Sequence, residues 1–182
     1  MNFETLAQQS ISTQHETMAA SVAQRIYELR KKSLLESFGG FRNEEHRMEY
    51  VASVRGIEFI NDSKATNVNA TWYALEKMTK PLVWIVNGQD QKNDYKSLKS
   101  LVQKHVKAIV CLGDNNTKIC KEFGDIVPTI VQTETAKDAV SVAYRLAESG
   151  DAVLFSPGAP SFEMFENFED RGNQFRNAVN EL

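Results

Sequence analysis

The chain is poor in cysteine and proline, and it contains no long apolar run. Its two cysteines stand in 182 residues without Cys-x-x-Cys spacing. Cys111 lies inside the apolar run Ala108-Ile109-Val110-Cys111-Leu112 and Cys120 in a predicted helix. They read as reduced core thiols, which excludes a disulfide scaffold and favours a cytoplasmic setting. No stretch of 18 apolar residues and no signal-peptide pattern occurs, so the sequence shows no obvious membrane span. Positive excess is missing too: 21 lysines and arginines face 24 aspartates and glutamates, for a net charge of −3. That balance argues against a general nucleic-acid binder. The one compact basic run, Arg30-Lys31-Lys32, follows a helical segment and reads as its solvated end. Also absent is the phosphate loop Gly-x-x-x-x-Gly-Lys-[Ser/Thr], together with the acidic residues a magnesium site would need beside it.

What is present is ordinary globular material, 42% hydrophobic and 25% charged, enough for one core. From Gly56 onward short apolar runs alternate with amphipathic segments, the pattern of βα units building a mainly parallel sheet. Strands are predicted at 57–60, 82–86, 108–112, 129–131 and 152–155, and helices at 67–78, 95–104, 117–123, 135–148 and 162–179. Residues 47–54 alternate as a strand that pairs with 57–60 across Arg55-Gly56. The first residues differ. Residues 18–29 place Ala19, Val22, Ile26 and Leu29 on one helical face, and 32–38 continue helically until Gly39-Gly40. The expectation is therefore an α/β, Rossmann-like domain over 46–182, its mainly parallel sheet flanked by helices. Residues 1–45 are expected to be a short helical segment from the preceding domain.

Chemistry concentrates in the turn from Asp62 to Asn67. It follows a strand and enters a helix, at the carboxyl edge where open α/β sheets hold ligands. Free N–H groups at the helix start favour an anion, Lys64 adds a point charge, and Thr66 can hold a ligand oxygen. The plain alternative is a cap: Asp62, Ser63 or Thr66 tying down the helix terminus. Three further clusters are His46-Arg47, the loop 87–94 and the segment 156–171. Three of the four follow strands, so in a parallel sheet they would converge. Ser156-Pro157-Gly158-Ala159-Pro160-Ser161 is a small-residue turn that lets backbone N–H groups approach an anion, or a plain turn with Ser161 as N-cap.

His46-Arg47-x-Glu49, Asn61-Asp62-Ser63-Lys64-Ala65-Thr66-Asn67, Ser161-Phe162-Glu163-Met164-Phe165 and Asn167-Phe168-Glu169-Asp170-Arg171-Gly172 resemble, in order and spacing, the carboxy-terminal part of the D-glutamate-adding branch of the Mur ligase family. The resemblance covers nearly the whole chain. It implies a three-domain cytoplasmic enzyme of peptidoglycan synthesis that uses ATP and magnesium to phosphorylate the carboxylate of UDP-N-acetylmuramoyl-L-alanine. The amino group of D-glutamate then attacks the acyl phosphate. This chain would be the last domain, with the final helices of the central one, and inactive alone. Carried over residue by residue, Arg47 meets phosphate oxygens and Asp62 the ribose side. Lys64, as catalytic residue, and Thr66 lie near the reacting carboxylate and the incoming amino acid. Ser161 and the Phe168 backbone hold the D-glutamate side-chain carboxylate, with Asn167 lining the same pocket.

Two segments depart from the family pattern. Ser10 to Glu16 replaces an asparagine-bearing stretch expected to hold adenine. In the loop Asn87-Gly88-Gln89-Asp90-Gln91-Lys92-Asn93-Asp94, Gln91 takes the place of a lysine expected to meet a D-glutamate carboxylate, and Lys92 stands one position later. A polyglutamylating ligase of the same superfamily and a non-catalytic module that binds an acidic metabolite are the competing readings.

Overall fold

The protein is described by a computed structural model over residues 3–39, 44–87, 93–162 and 164–182, with side chains of the first segment described from 18 to 37. The chain divides into two compact units, Met1–Gly40 and Phe41–Leu182. The first consists of α1 (Phe3–Gly39). The helical face expected over 18–29 and its continuation over 32–38 lie in this one helix, because Arg30 and Lys31 between them are good helix formers.

The second unit is an α/β layer structure. Its strands are β1 (Glu49–Val54), β2 (Ile57–Asn61), β3 (Leu82–Asn87), β4 (Val106–Leu112), β5 (Ile130–Thr133) and β6 (Ala152–Phe155). They form one sheet in the order β1-β2-β6-β3-β4-β5, antiparallel only between β1 and β2. The hairpin turn has positive φ at both Arg55 (50°) and Gly56 (81°), the combination that a two-residue turn matched to strand twist requires. The central parallel strands β3, β4 and β6 are buried on both faces and read as continuous apolar runs, as in Leu82-Val83-Trp84-Ile85-Val86.

Helices α2 (Val68–Lys77), α3 (Lys99–His105), α4 (Thr117–Phe123), α5 (Ala136–Leu146) and α6 (Phe168–Asn180) cover the sheet. On one face Phe59, Val83, Ile85, Val110 and Phe155 pack against α5 and α6. Phe155 stacks on Phe175 with ring centroids 4.8 Å apart, worth ~0.5–1.5 kcal/mol beyond area burial, and this fixes α6 over β6. On the other face Trp84 and Tyr95 both meet Phe123 edge-on.

The last helix is shorter than its sequence pattern. Phe162 and residues 164–167 are not helical: the Ser161 carbonyl accepts from the N–H groups of Met164 and Phe165, and Asn167 caps α6 by accepting from Asp170 N–H at 2.6 Å. Among the described residues no helix is long and apolar enough to cross a membrane.

Candidate functional site

Strands β2, β6 and β3 are neighbours and parallel, so the turns that leave their carboxyl ends emerge side by side. These are the Asp62–Thr66 turn, the segment from Ser156, and the chain at Asn87, after which residues 88–92 lie outside the described ones. The fourth cluster joins them because β1 is antiparallel: Glu49 pairs with Asn61, which puts His46 and Arg47 where β2 ends. Backbone bonds lock the edges together, from Asp62 N–H to Phe155 O (2.8 Å), Gly158 N–H to Ala65 O (2.9 Å) and Asn87 N–H to Pro157 O (3.0 Å). Asn93 Nδ2 donates to Gly158 O at 2.8 Å from the far side of the third loop.

The turn itself is not a helix cap. Asn67, extended at φ −155°, caps α2 by accepting from Ala70 N–H at 3.0 Å. Asp62, Ser63 and Thr66 are thereby released from the capping role that was their plain alternative. Ser63 is buried and faces inward: its N–H donates to Asn61 Oδ1 (3.1 Å) and its hydroxyl to Phe168 O (2.7 Å).

Arg47 sits on a strained corner. His46 and Met48 on either side both have positive φ, 61° and 46°, a conformation that costs non-glycine residues roughly 1–3 kcal/mol each. Two carboxylates hold the corner, Glu49 Oε2 accepting from His46 N–H (2.9 Å) and Asp62 Oδ1 from Met48 N–H (3.2 Å). The His46 ring is buried, with Asn61 Nδ2 3.0 Å from its Nδ1 and the edge of Phe168 against it.

The electrostatics separate an outer pair of cations from an inner carboxylate. Glu44 bridges Lys64 Nζ and Arg47 Nε, the latter at 3.2 Å, so one carboxylate already occupies the space between the two expected cations. The Lys64 contact holds the Glu44 carboxyl below its usual range. Lys64 Nζ also lies 5.4 Å from the centre of the Phe168 ring. Asp62 is 5% exposed, and burial pushes its pKa up to about 7 against the opposing pull of Ser156, Met48 N–H, Arg47 and Arg171. Its second oxygen accepts from Ser156 Oγ at 2.8 Å, and that hydroxyl lies 3.1 Å from Thr71 Oγ1.

Of the residues singled out from sequence, Arg47, Lys64 and Phe168 meet around Glu44 and the start of α6, Thr66 is half-buried on the same turn, and Ser161 is buried beside Arg171's partner Ala159. Asn167 is exposed, with its side-chain oxygen engaged in the cap. Lys92 lies outside the described residues. A cleft of about 590 Å³ opens beside this cluster, lined by Arg47, Glu49, Tyr50 and Arg176 among others.

Sequence reasoning missed Glu44 and assigned no role to Arg171. Glu44 pairs with Lys64 across 20 positions and nothing local announces that contact. Arg171 did leave a signal: it falls on the buried face of α6 with Phe175 and Ala178, where a hydrophobe is expected.

Residues 46–158 match the family model for the Mur ligase, glutamate ligase domain. The UDP-N-acetylmuramoylalanine–D-glutamate ligase of Christiangramia forsetii is 49% identical over 177 residues, 97% of this chain and 40% of that protein. The chain thus spans about two fifths of the length of the curated relatives it matches. Two solved structures share the fold: MurF from Acinetobacter baumannii (TM-score 0.53, 14% identity, 78% of this chain and 31% of that one) and E. coli FolC in complex with ADP (TM-score 0.53, 16% identity, 76% and 32%). With the sheet order, the clusters at its strand ends and the matched residues 46–158 in agreement, the chain belongs to the Mur ligase family and carries its glutamate ligase domain.

Proposed function

We propose that the chain is the carboxy-terminal portion of an ATP-dependent ligase that adds D-glutamate to UDP-N-acetylmuramoyl-L-alanine, residues 1–45 being the end of its central domain. The observation that carries this reading is the Glu44 carboxylate held jointly by Lys64 and Arg47. It indicates that the turn at the strand ends can hold a carboxylate or phosphate oxygen between two cations. The relatives at 41–49% identity over nearly all of the chain bear the D-glutamate ligase name, which selects among anionic substrates.

A carboxylate resists attack by an amine until one of its oxygens becomes a good leaving group. ATP supplies that change by phosphorylating the carboxylate. Within this chain the fit to ATP is partial. Arg47 suits a phosphate, whereas Asp62 is buried with each of its oxygens already accepting one internal hydrogen bond. Among the described residues no group of three metal-ligating side chains occurs, so no step is assigned to magnesium here. The residues of this chain bind and orient. Lys64 and Thr66 hold the reacting carboxylate near the incoming amino group; Ser161, the Phe168 N–H, Asn167 and Lys92 hold the D-glutamate carboxylates. The amine forms the new C–N bond as the C–O bond to phosphate breaks, and the nitrogen gives up its proton.

The complete polypeptide tests the reading through phosphate release from ATP that requires both UDP-N-acetylmuramoyl-L-alanine and D-glutamate. Lys64→Ala is expected to lower turnover by about a hundredfold or more, the scale of losing one charge-stabilising donor. Release indifferent to D-glutamate overturns the proposal, and an unaffected rate removes Lys64 from the site.

A further inference from the structure

The Arg171 guanidinium is fully buried, yet among the described residues no carboxylate bonds to it. It donates from Nε to Ser63 Oγ (3.0 Å), from Nη2 to Ser63 O (2.7 Å) and from Nη1 to Ala159 O (2.9 Å). The Ser63 hydroxyl in turn donates to Phe168 O at 2.7 Å. One planar fork therefore clips the backbone beside Lys64 to the backbone two residues before Ser161, and through Ser63 to the first residue of α6. Stability alone does not call for this arrangement. A buried charge carries a desolvation cost that a hydrophobe of similar volume avoids, and the same face of α6 already offers Phe175, Ala178 and Val179 to the core. What a guanidinium gives that a hydrophobe or a lysine does not is three bonds at fixed mutual angles, and hence a fixed distance between the segments it joins.

We propose that Arg171 is a positioning residue that sets the spacing between the Lys64 turn and the Ser161–Phe168 segment, and thereby the length of dicarboxylic amino acid that bridges them. This role rests on the D-glutamate reading. Arg171 touches no ligand in it; it acts through Ser63 and Ala159. Arg47, expected on the nucleotide side, makes none of the clip's bonds.

Steady-state kinetics of the complete polypeptide, wild type against Arg171→Lys and Ser63→Ala, test the assignment. Lysine keeps the charge and loses the fork; alanine removes the hydroxyl that relays the clip to Phe168. The KM for D-glutamate rises at least tenfold in each variant, the KM for ATP stays within twofold, and the preference for D-glutamate over D-aspartate, as a ratio of kcat/KM, falls at least tenfold. A merely structural residue would lower the active fraction and leave both KM values and the preference alone. If Arg171→Lys fails to fold, Ser63→Ala alone decides. An unchanged D-glutamate KM, or KM values rising together for both substrates, overturns the role. A wild-type polypeptide that does not use D-glutamate defeats the ligase reading and this role with it, whereas a wild type that does, with unaltered variants, defeats only the role of Arg171.

Discussion

At the scale of the residue, Asp62 shows how an expected ligand group is also a structural one. Its carboxyl supports the positive-φ corner under Arg47 through Met48 N–H and receives the Ser156 hydroxyl, and burial lifts its pKa from 3.8 to about 7. Between these values the folded chain retains a proton that the unfolded chain has released, so stability is full below about pH 4 and falls as pH rises through 7. From pH 5 to pH 8 the loss amounts to roughly 2–3 kcal/mol at 1.36 kcal/mol per pKa unit. Asp62→Asn keeps an acceptor for Met48 N–H and donates to Ser156 Oγ, whose proton can turn to Thr71. Thermal melts at both pH values should show the wild type losing ground to the variant as pH rises; a constant difference would remove Asp62 as the titrating group. The cations of this site were legible because a lysine in a strand-to-helix turn has a chemistry of its own. The contacts that hold the site together were not: Arg171 and Ser63 are 108 positions apart, and no local pattern encodes such a contact.

At the scale of the element, α6 is placed by close approach as much as by apolar burial. Gly172 is the point of contact, for a Cβ built there would lie 2.3 Å from His46 Nδ1 and 2.9 Å from two further ring atoms. His46 cannot swing aside, being buried between Asn61 and Phe168. Gly172→Ala should therefore destabilise the unit by about 1–3 kcal/mol, the usual cost of overpacking, although alanine favours a helix. Gly150→Ala is the matched control, with φ +98° and nothing within 4 Å, so that it reports backbone strain alone. Melting temperatures of both variants check this, and a Gly172→Ala protein as stable as the wild type would show that the His46 pocket gives way. Strand positions were legible since buried parallel strands leave continuous apolar runs, and the hairpin since Arg55-Gly56 carries its turn. The start of α6 was not. Phe162 and Phe165 fit a helical period, yet Asn167 six residues into the expected helix offers a better cap, and the chain begins its helix there.

At the scale of the whole molecule, the two units draw their order from different sources. The second unit folds around a sheet whose central strands are buried on both faces, whereas α1 exposes Met18, Val22, Ile26 and Leu29, an apolar stripe at helical spacing. Helices hold mainly through a packed face, so a stripe of this kind needs a cover. The chain spans about 40% of its relatives' length, and we infer that the cover belongs to the remaining part of such a polypeptide. Hydrogen exchange separates the two sources. In the chain as it stands the amides of residues 18–37 should exchange at nearly the rate of an unprotected helix, while those of β3, β4 and β6 exchange only through opening of the sheet. In the longer polypeptide the α1 amides should slow by at least a hundredfold and the strand amides much less. Equal exchange of α1 in the two proteins would mean that the stripe stays uncovered, and would count against the proposal that residues 1–45 end a preceding domain.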